Sequence, residues 1–222
     1  QADLGMGAQA RLLGHRATLH AVQGDFVTAR RQIGEGQRLL AELGQVVLLA
    51  YMSSDSASVE RLAGDLDAAA AIARGSYEQF ESVGLAGDRP MCAAWLSHVL
   101  TLLGRIAEAR LFVDEGLTAS GHFNVSARLA KARILVSEEN VADAAAEIQL
   151  AADFVARSPD WVNLRIEVLA DIAESRAGTG DGEKAGEVLA QVPEAAERKG
   201  DLWAVATPRR LRERPQWGGR GA

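Results

Sequence analysis

At 222 residues, with 48% hydrophobic and only 5% aromatic side chains, five prolines and a net charge of −6, the chain is long enough for one large domain or a repeat array. Its composition favours helices over a β-sandwich. No apolar run approaches the roughly 18 to 20 residues that span a bilayer, which excludes a helical membrane protein. The single cysteine, Cys92, excludes an internal disulfide framework and fits a reducing cytoplasm. Charge is uneven: residues 198–222 carry +5 and the first 197 residues −11. The acidic body is a poor surface for nucleic-acid phosphates, and the basic end, without aromatic interleaving or amphipathic period, reads as a solvated terminus. The chain begins at Gln1 with no basic segment leading into an apolar one, and reads as a fragment of a longer cytoplasmic protein.

In chain order, a first helix is expected near 8–23, followed by the corner Gly24-Asp25-Phe26-Val27-Thr28-Ala29 and a second helix near 26–43 that stops at Gly44. The same sentence is then rewritten four times. Helices near 47–63 and 66–83 flank Gly64-Asp65-Leu66-Asp67-Ala68-Ala69, and helices near 90–103 and 106–120 flank Gly104-Arg105-Ile106-Ala107-Glu108-Ala109. Helices near 124–138 and 141–157 flank Glu139-Asn140-Val141-Ala142-Asp143-Ala144, a corner that has lost its glycine, and Ser158-Pro159 closes that pair. The last pair, near 162–178 and 183–198, flanks Gly180-Asp181-Gly182-Glu183-Lys184-Ala185, and Pro193 predicts a kink or early end there. A capping helix follows over 202–212, and 213–222 reads as a disordered tail. Corner residues at 24, 64, 104, 139 and 180 give periods of 40, 40, 35 and 41, the signature of a helical repeat array.

Each corner has one physical logic. Glycine leaves a helix in the left-handed conformation without steric cost, the next Asp or Asn caps the following helix, and an apolar residue opens its buried face. Small residues recur five positions after the corner residue (Ala29, Ala69, Ala109, Ala144, Ala185) and seven before it (Ala17, Ala57, Ser97, Ala132, Ala173). They recur again twelve after it at Gly36, Ser76, Gly116 and Ala151, and fail only at Val192. Such positions let antiparallel helices approach closely. The run Gly-Thr-Gly-Asp-Gly-Glu-Lys-Ala over 178–185 is therefore the fifth corner. It is not a phosphate loop, since Glu183 separates Gly182 from Lys184 and Ala185 stands where a hydroxyl is needed.

This Gly-Asp-apolar-x-x-Ala corner, with its small residues seven before and twelve after, resembles the tetratricopeptide repeat (TPR). The resemblance implies an all-α, right-handed α-α superhelix of about five helix-turn-helix repeats, near 8–44, 47–84, 90–121, 124–158 and 162–200, plus the cap, as one domain over 1–212. Stretches such as Leu129-Ala130-Lys131-Ala132-Arg133-Ile134-Leu135, Trp161-Val162-Asn163-Leu164-Arg165 and Glu197-Arg198-Lys199-Gly200-Asp201 look like the C-terminal TPR region of bacterial adenylate/guanylate cyclase-like or LuxR-family STAND/AAA ATPases. That implies a protein-interaction and sensor scaffold regulating an attached ATPase or cyclase-like domain, with a peptide or small-molecule inducer as the alternative ligand. No cofactor is implied, and any chemistry would sit upstream of Gln1.

The residues carry no catalytic constellation. His15 and His20 diverge on a helix, His98 is alone on its helix, and His122 sits in a turn, so each reads as structural or solvent-facing. Cys92 reads as a small packing residue. Glu167, Asp171 and Glu174 share one helix face at spacings of four and three. They form either a solvated outer face or, by the repeat count that the resemblance supplies, part of the concave groove. The same count places Arg11, Tyr51, Ser54, Ser58, Ala94, His98, Leu129 and Arg133 there. The expected groove is mixed polar in its first half and acidic at its C-terminal end, suited to a partner with a basic or mixed surface.

Overall fold

The computed structural model describes residues 2–157 and 162–190. The connection at Ser158-Pro159, Trp161, Val192, the Pro193 region, the 202–212 cap and the 213–222 tail lie outside these residues. Ten helices occupy the described chain: α1 (Ala2–Val22), α2 (Phe26–Glu42), α3 (Val46–Ala63), α4 (Leu66–Ser82), α5 (Arg89–Leu102), α6 (Ile106–Gly116), α7 (His122–Ser137), α8 (Val141–Ala156), α9 (Val162–Gly178) and α10 (Gly182–Ala190).

The corners form as their chemistry requires. The corner residues 24, 64, 104 and 180 are glycines with φ between +74° and +87°. Open space surrounds each position, so the glycine is needed for its dihedral and not for room. Asp25 and Asp65 each accept the backbone N–H three residues on at 3.0 Å, while Asn140 and Asp181 do so at 3.3 and 3.4 Å. Arg105 makes no such cap. The fourth corner keeps the geometry without the glycine, since Glu139 sits at φ +62°. A left-handed L-residue costs roughly 1–2 kcal/mol, and glycine gives part of that back as unfolded-chain entropy. Glu139→Gly is therefore expected to raise stability by about 0.5–1 kcal/mol in urea unfolding, and an unchanged or lower midpoint would contradict this reading.

Close packing follows from the small positions. Ala29, Ala69, Ala109, Ala144 and Ala185 are all fully buried, as are Ala17, Ser97, Ala132 and Ala173, with Ala57 nearly so. Replacing Ala69 or Ala109 by leucine should cost about 1–3 kcal/mol by overpacking, visible as a lowered urea midpoint.

Two helix ends differ from the sequence expectation. α1 starts at Ala2 and not near 8, because its first turns lie along α3, where a Cβ on Gly7 would touch Leu48 at 3.6 Å. α6 stops at Gly116 and not near 120, because the Thr118 hydroxyl donates to the Glu115 carbonyl and the Asn124 amide donates to that of Leu117 at 2.6 Å. These side chains take the carbonyls that another helical turn would need.

The odd-numbered helices pack successively, α1 on α3, α5 on α7 and α7 on α9, while each even helix packs on its own partner and on the next odd helix. Among the described residues the even helices make no comparable contact with one another. Odd helices therefore line the inner, concave side of a solenoid, as ridges on the inside of a curve crowd together. The succession loosens once, between α3 and α5, where Arg61 lies over the Trp95 ring at 5.5 Å. There the second and third pairs are joined mainly through α4 and α5. The Arg89 guanidinium stacks 4.5 Å over Tyr77, whose hydroxyl donates to Glu115 at 2.7 Å.

Candidate functional site: a buried charged cluster on the concave side

Four residues expected in the groove converge at one point. His98 comes from α5, Arg133 from α7, and Asp171 and Glu174 from α9. His98 is 2% exposed, and its Nε2 lies 3.3 Å from Asp171 Oδ2. Arg133 places Nη1 3.4 Å from His98 Nδ1, and its Nη2 stands 3.9 Å from Asp171 Oδ1 and 3.8 Å from Glu174 Oε2. Arg61 of α3, buried beside Trp95, adds a second guanidinium, and the Trp95 ring meets the His98 ring edge-on at 6.3 Å. Curvature is what brings α5 and α9 together across α7.

The electrostatics assign protonation states. Burial pushes the His98 imidazole below its ordinary value; Asp171 opposes this, while Arg133 and Arg61 add to it. A neutral imidazole then donates from Nε2 to Asp171 and offers Nδ1 as acceptor to Arg133, so one tautomer satisfies both neighbours. Burial alone pushes the Asp171 carboxyl up, but His98, Arg61 and Arg133 outweigh it and hold the carboxyl well below the usual carboxylate range. Burial also lowers Arg133. Two guanidiniums face two carboxylates around a neutral histidine, a balanced cluster.

A pH dependence follows with a definite sign. Below about pH 6.5 the unfolded histidine takes up a proton that folded His98 resists. The unfolded state then binds more protons, and stability falls as the pH drops. Asp171 adds a second loss only below about pH 4, as its unfolded counterpart protonates. Chemical denaturation from pH 7.5 to 5 is expected to show declining stability that His98→Gln flattens. A parallel decline in the variant would remove His98 as the cause.

The cluster corrects two sequence readings. Asp171 and Glu174 are not a free acidic face, because Arg133 and His98 meet them; Glu167 lies on α9, and its side chain is outside the described set. His98, read as a lone histidine without a carboxylate, has Asp171 as partner. Nothing short of the superhelical path pairs these residues, although the cluster could have been sought by projecting all first-helix positions onto one axis.

The other expected groove residues lie elsewhere. Ala94 and Leu129 are buried in the core, Ala94 against Gly116 of its own helix pair and Leu129 in the cluster that α7 forms with α8 and α9. Tyr51 donates to Asp88 Oδ1 at 2.7 Å, which pushes its phenol up to about 12, and its ring meets Phe80 edge-on at 5.2 Å. Ser54 and Ser58 are half-buried on α3, and Arg11 is exposed on α1. Beside them stands Asp55, raised by burial against the opposing charges of His15 and Arg11, a residue that sequence reasoning missed. Cys92 is buried, and burial pushes its thiol up to about 11 despite the nearby Ser76 hydroxyl at 3.4 Å. Such a thiol is a packing group and not a nucleophile.

Among the described residues, no group of three or more His, Cys, Asp or Glu side chains is placed to hold a metal ion, and no helix is long and apolar enough to cross a membrane.

The architecture is that of an all-α, TPR-like repeat solenoid. Among solved structures, the chain is similar to a crystallised glutamine-to-methionine variant of the nearly identical TPR-like repeats of a kinesin light chain from Podosopora anserina. That similarity has a TM-score of 0.55 at 13% identity and covers 86% of this chain and 96% of that one. It establishes the fold alone. No protein-family model and no curated protein matches the sequence.

Proposed function

We propose that this chain is the interaction and sensor arm of a larger bacterial signal-transduction or transcription-regulating ATPase, and that its concave side receives a protein partner. The observation that carries the reading is the convergence of α3, α5, α7 and α9 on Arg61, His98, Arg133, Asp171 and Glu174. Burying ionisable groups is expensive compared with an apolar core, and such clusters concentrate at sites of function. A partner offering a guanidinium or ammonium to Asp171 and Glu174 would compete with Arg133 and His98. The tie between α5 and α9 would loosen, and the curvature of the array would change. A local ionic exchange would thus become a shape change that an attached domain can feel.

The test is titration calorimetry of residues 1–222 against the ATPase region encoded in the same polypeptide. Wild type should bind, and Glu174→Gln should bind at least about tenfold more weakly, worth about 1.4 kcal/mol, while keeping its circular dichroism spectrum. Equal binding by both would remove the cluster as the partner site. Absence of a nucleotide-binding domain from that polypeptide would remove the ATPase context.

A second reading is favoured by one atom. Arg133 Nη2 is buried and lacks a hydrogen-bond acceptor among the described residues, so a small carboxylate ligand or a peptide C-terminus could supply one beside Trp95. A thermal-shift screen of carboxylate metabolites supports this reading only if a hit is abolished by Arg133→Met.

A further inference from the structure

Leu12 and Leu19 lie two turns apart on one face of α1, and are 56% and 47% exposed. Their places in the repeat are twelve and five residues before the corner. At the first place the later repeats carry Met52, Cys92, Ala127 and Val168, with exposures of 3, 3, 0 and 6%. At the second they carry Val59, Val99, Ile134 and Ser175, with 0, 0, 5 and 5%.

The cover comes from the helix pair immediately before in sequence. Met52 lies over Gly36, so close that a Cβ there would stand 2.7 Å from its Cε, and Cys92 meets Ser76 at 3.4 Å. Val59 joins the core of the first pair, Val99 that of the second, and Val168 that of the fourth. Positions twelve and five before the corner are thus the stacking surface of each repeat. A solenoid end built to face water carries polar residues there, and α1 carries leucines.

Charge narrows the occupant. Arg16 is exposed between the two leucines, with Arg11 and His15 exposed beside it. A second copy docked by a two-fold axis would set Leu12 against Leu19 but bring two Arg16 guanidiniums face to face, a like-charge contact. The repeats themselves are acidic, with −11 over the first 197 residues. A helix pair of the same composition has carboxylates to offer Arg16.

We propose that this face of α1 docks a further helix pair of the same repeat type, contributed by the polypeptide leading into residue 1. A small residue would lie against Leu12 and a carboxylate opposite Arg16. The inference stands apart from the concave-side reading, since it rests on the outer stacking face.

The test labels Leu12→Cys with a maleimide in residues 1–222 and in the same chain extended by about 40 of its natural upstream residues, one repeat length. Buried Cys92 keeps the background low. Labelling should be at least about tenfold slower in the extended chain, and Leu19→Glu should restore the fast rate there while leaving the melting temperature of residues 1–222 unchanged. Equal rates at both lengths, or a natural polypeptide with no such residues, would overturn the proposal. So would sedimentation showing that residues 1–222 dimerise and that Leu12→Glu abolishes the dimer, which would make a second copy the occupant.

Discussion

Replacing Asp171 by alanine is expected to cost about 3–5 kcal/mol, the effect of breaking a buried ionic arrangement from one side. The variant strands the Arg133 guanidinium, whose Nη2 already lies beyond hydrogen-bond distance of both carboxylates, and removes the acceptor of His98 Nε2. In a domain of this size, each kcal/mol lowers the melting temperature by about 2–4 °C. The double variant Asp171→Leu with Arg133→Met should recover part of the loss, because it removes the stranded guanidinium while His98 Nε2 still lacks its acceptor. Urea unfolding at pH 7 is the measurement. A loss below about 1 kcal/mol for the alanine variant would mean that the cluster is solvated and loose, which would also weaken the proposed binding role.

The second large effect is at Gly116. A Cβ there would stand 2.7 Å from Ala94 Cα and 2.8 Å from Ala94 N. Both are backbone atoms of α5, so no side chain can swing aside and the whole of α6 must move. Gly116→Ala is expected to cost about 3 kcal/mol, the upper part of the overpacking range. Gly34→Ala in α2 and Gly75→Ala in α4 meet nothing within 4 Å and should gain up to about 1 kcal/mol from helix propensity. The same chemical change then has opposite signs at Gly75 and Gly116, helical glycines in successive repeats. Comparable midpoints for all three variants would show that α5 and α6 can separate without penalty.

The repeat was legible because its determinants are local. A left-handed residue, an Asx cap and an alanine that must fit between two helices are decided within six residues. That is why Gly24, Gly64, Gly104 and Gly180 all take the expected left-handed conformation, with the cap missing only at Arg105, and why the fourth corner could be placed without its glycine. Local chemistry also accounts for the miss at α6: Thr118 and Asn124 are capping residues, and they end the helix before the periodic pattern does. The first turns of α1 were less readable, because Gly5 and Gly7 argue against a helix that packing on α3 supports.

By itself the sequence determined the number of corners, the faces of the helices and the small residues that set their approach. The repeat count that the family resemblance supplied led to the expectation that His98, Arg133, Asp171 and Glu174 share the inner side. Only the tertiary structure decided that these four meet, that Arg61 and Trp95 join them, and that Asp171 and Glu174 have Arg133 and His98 as partners. It alone showed that Leu12 and Leu19 are left uncovered. The reason is physical. A period states which way each side chain points relative to its own helix, whereas the curvature of a solenoid accumulates from the sizes of all the packed residues between helices. The meeting of α5 and α9 across α7 is a property of that accumulated path and of no single segment.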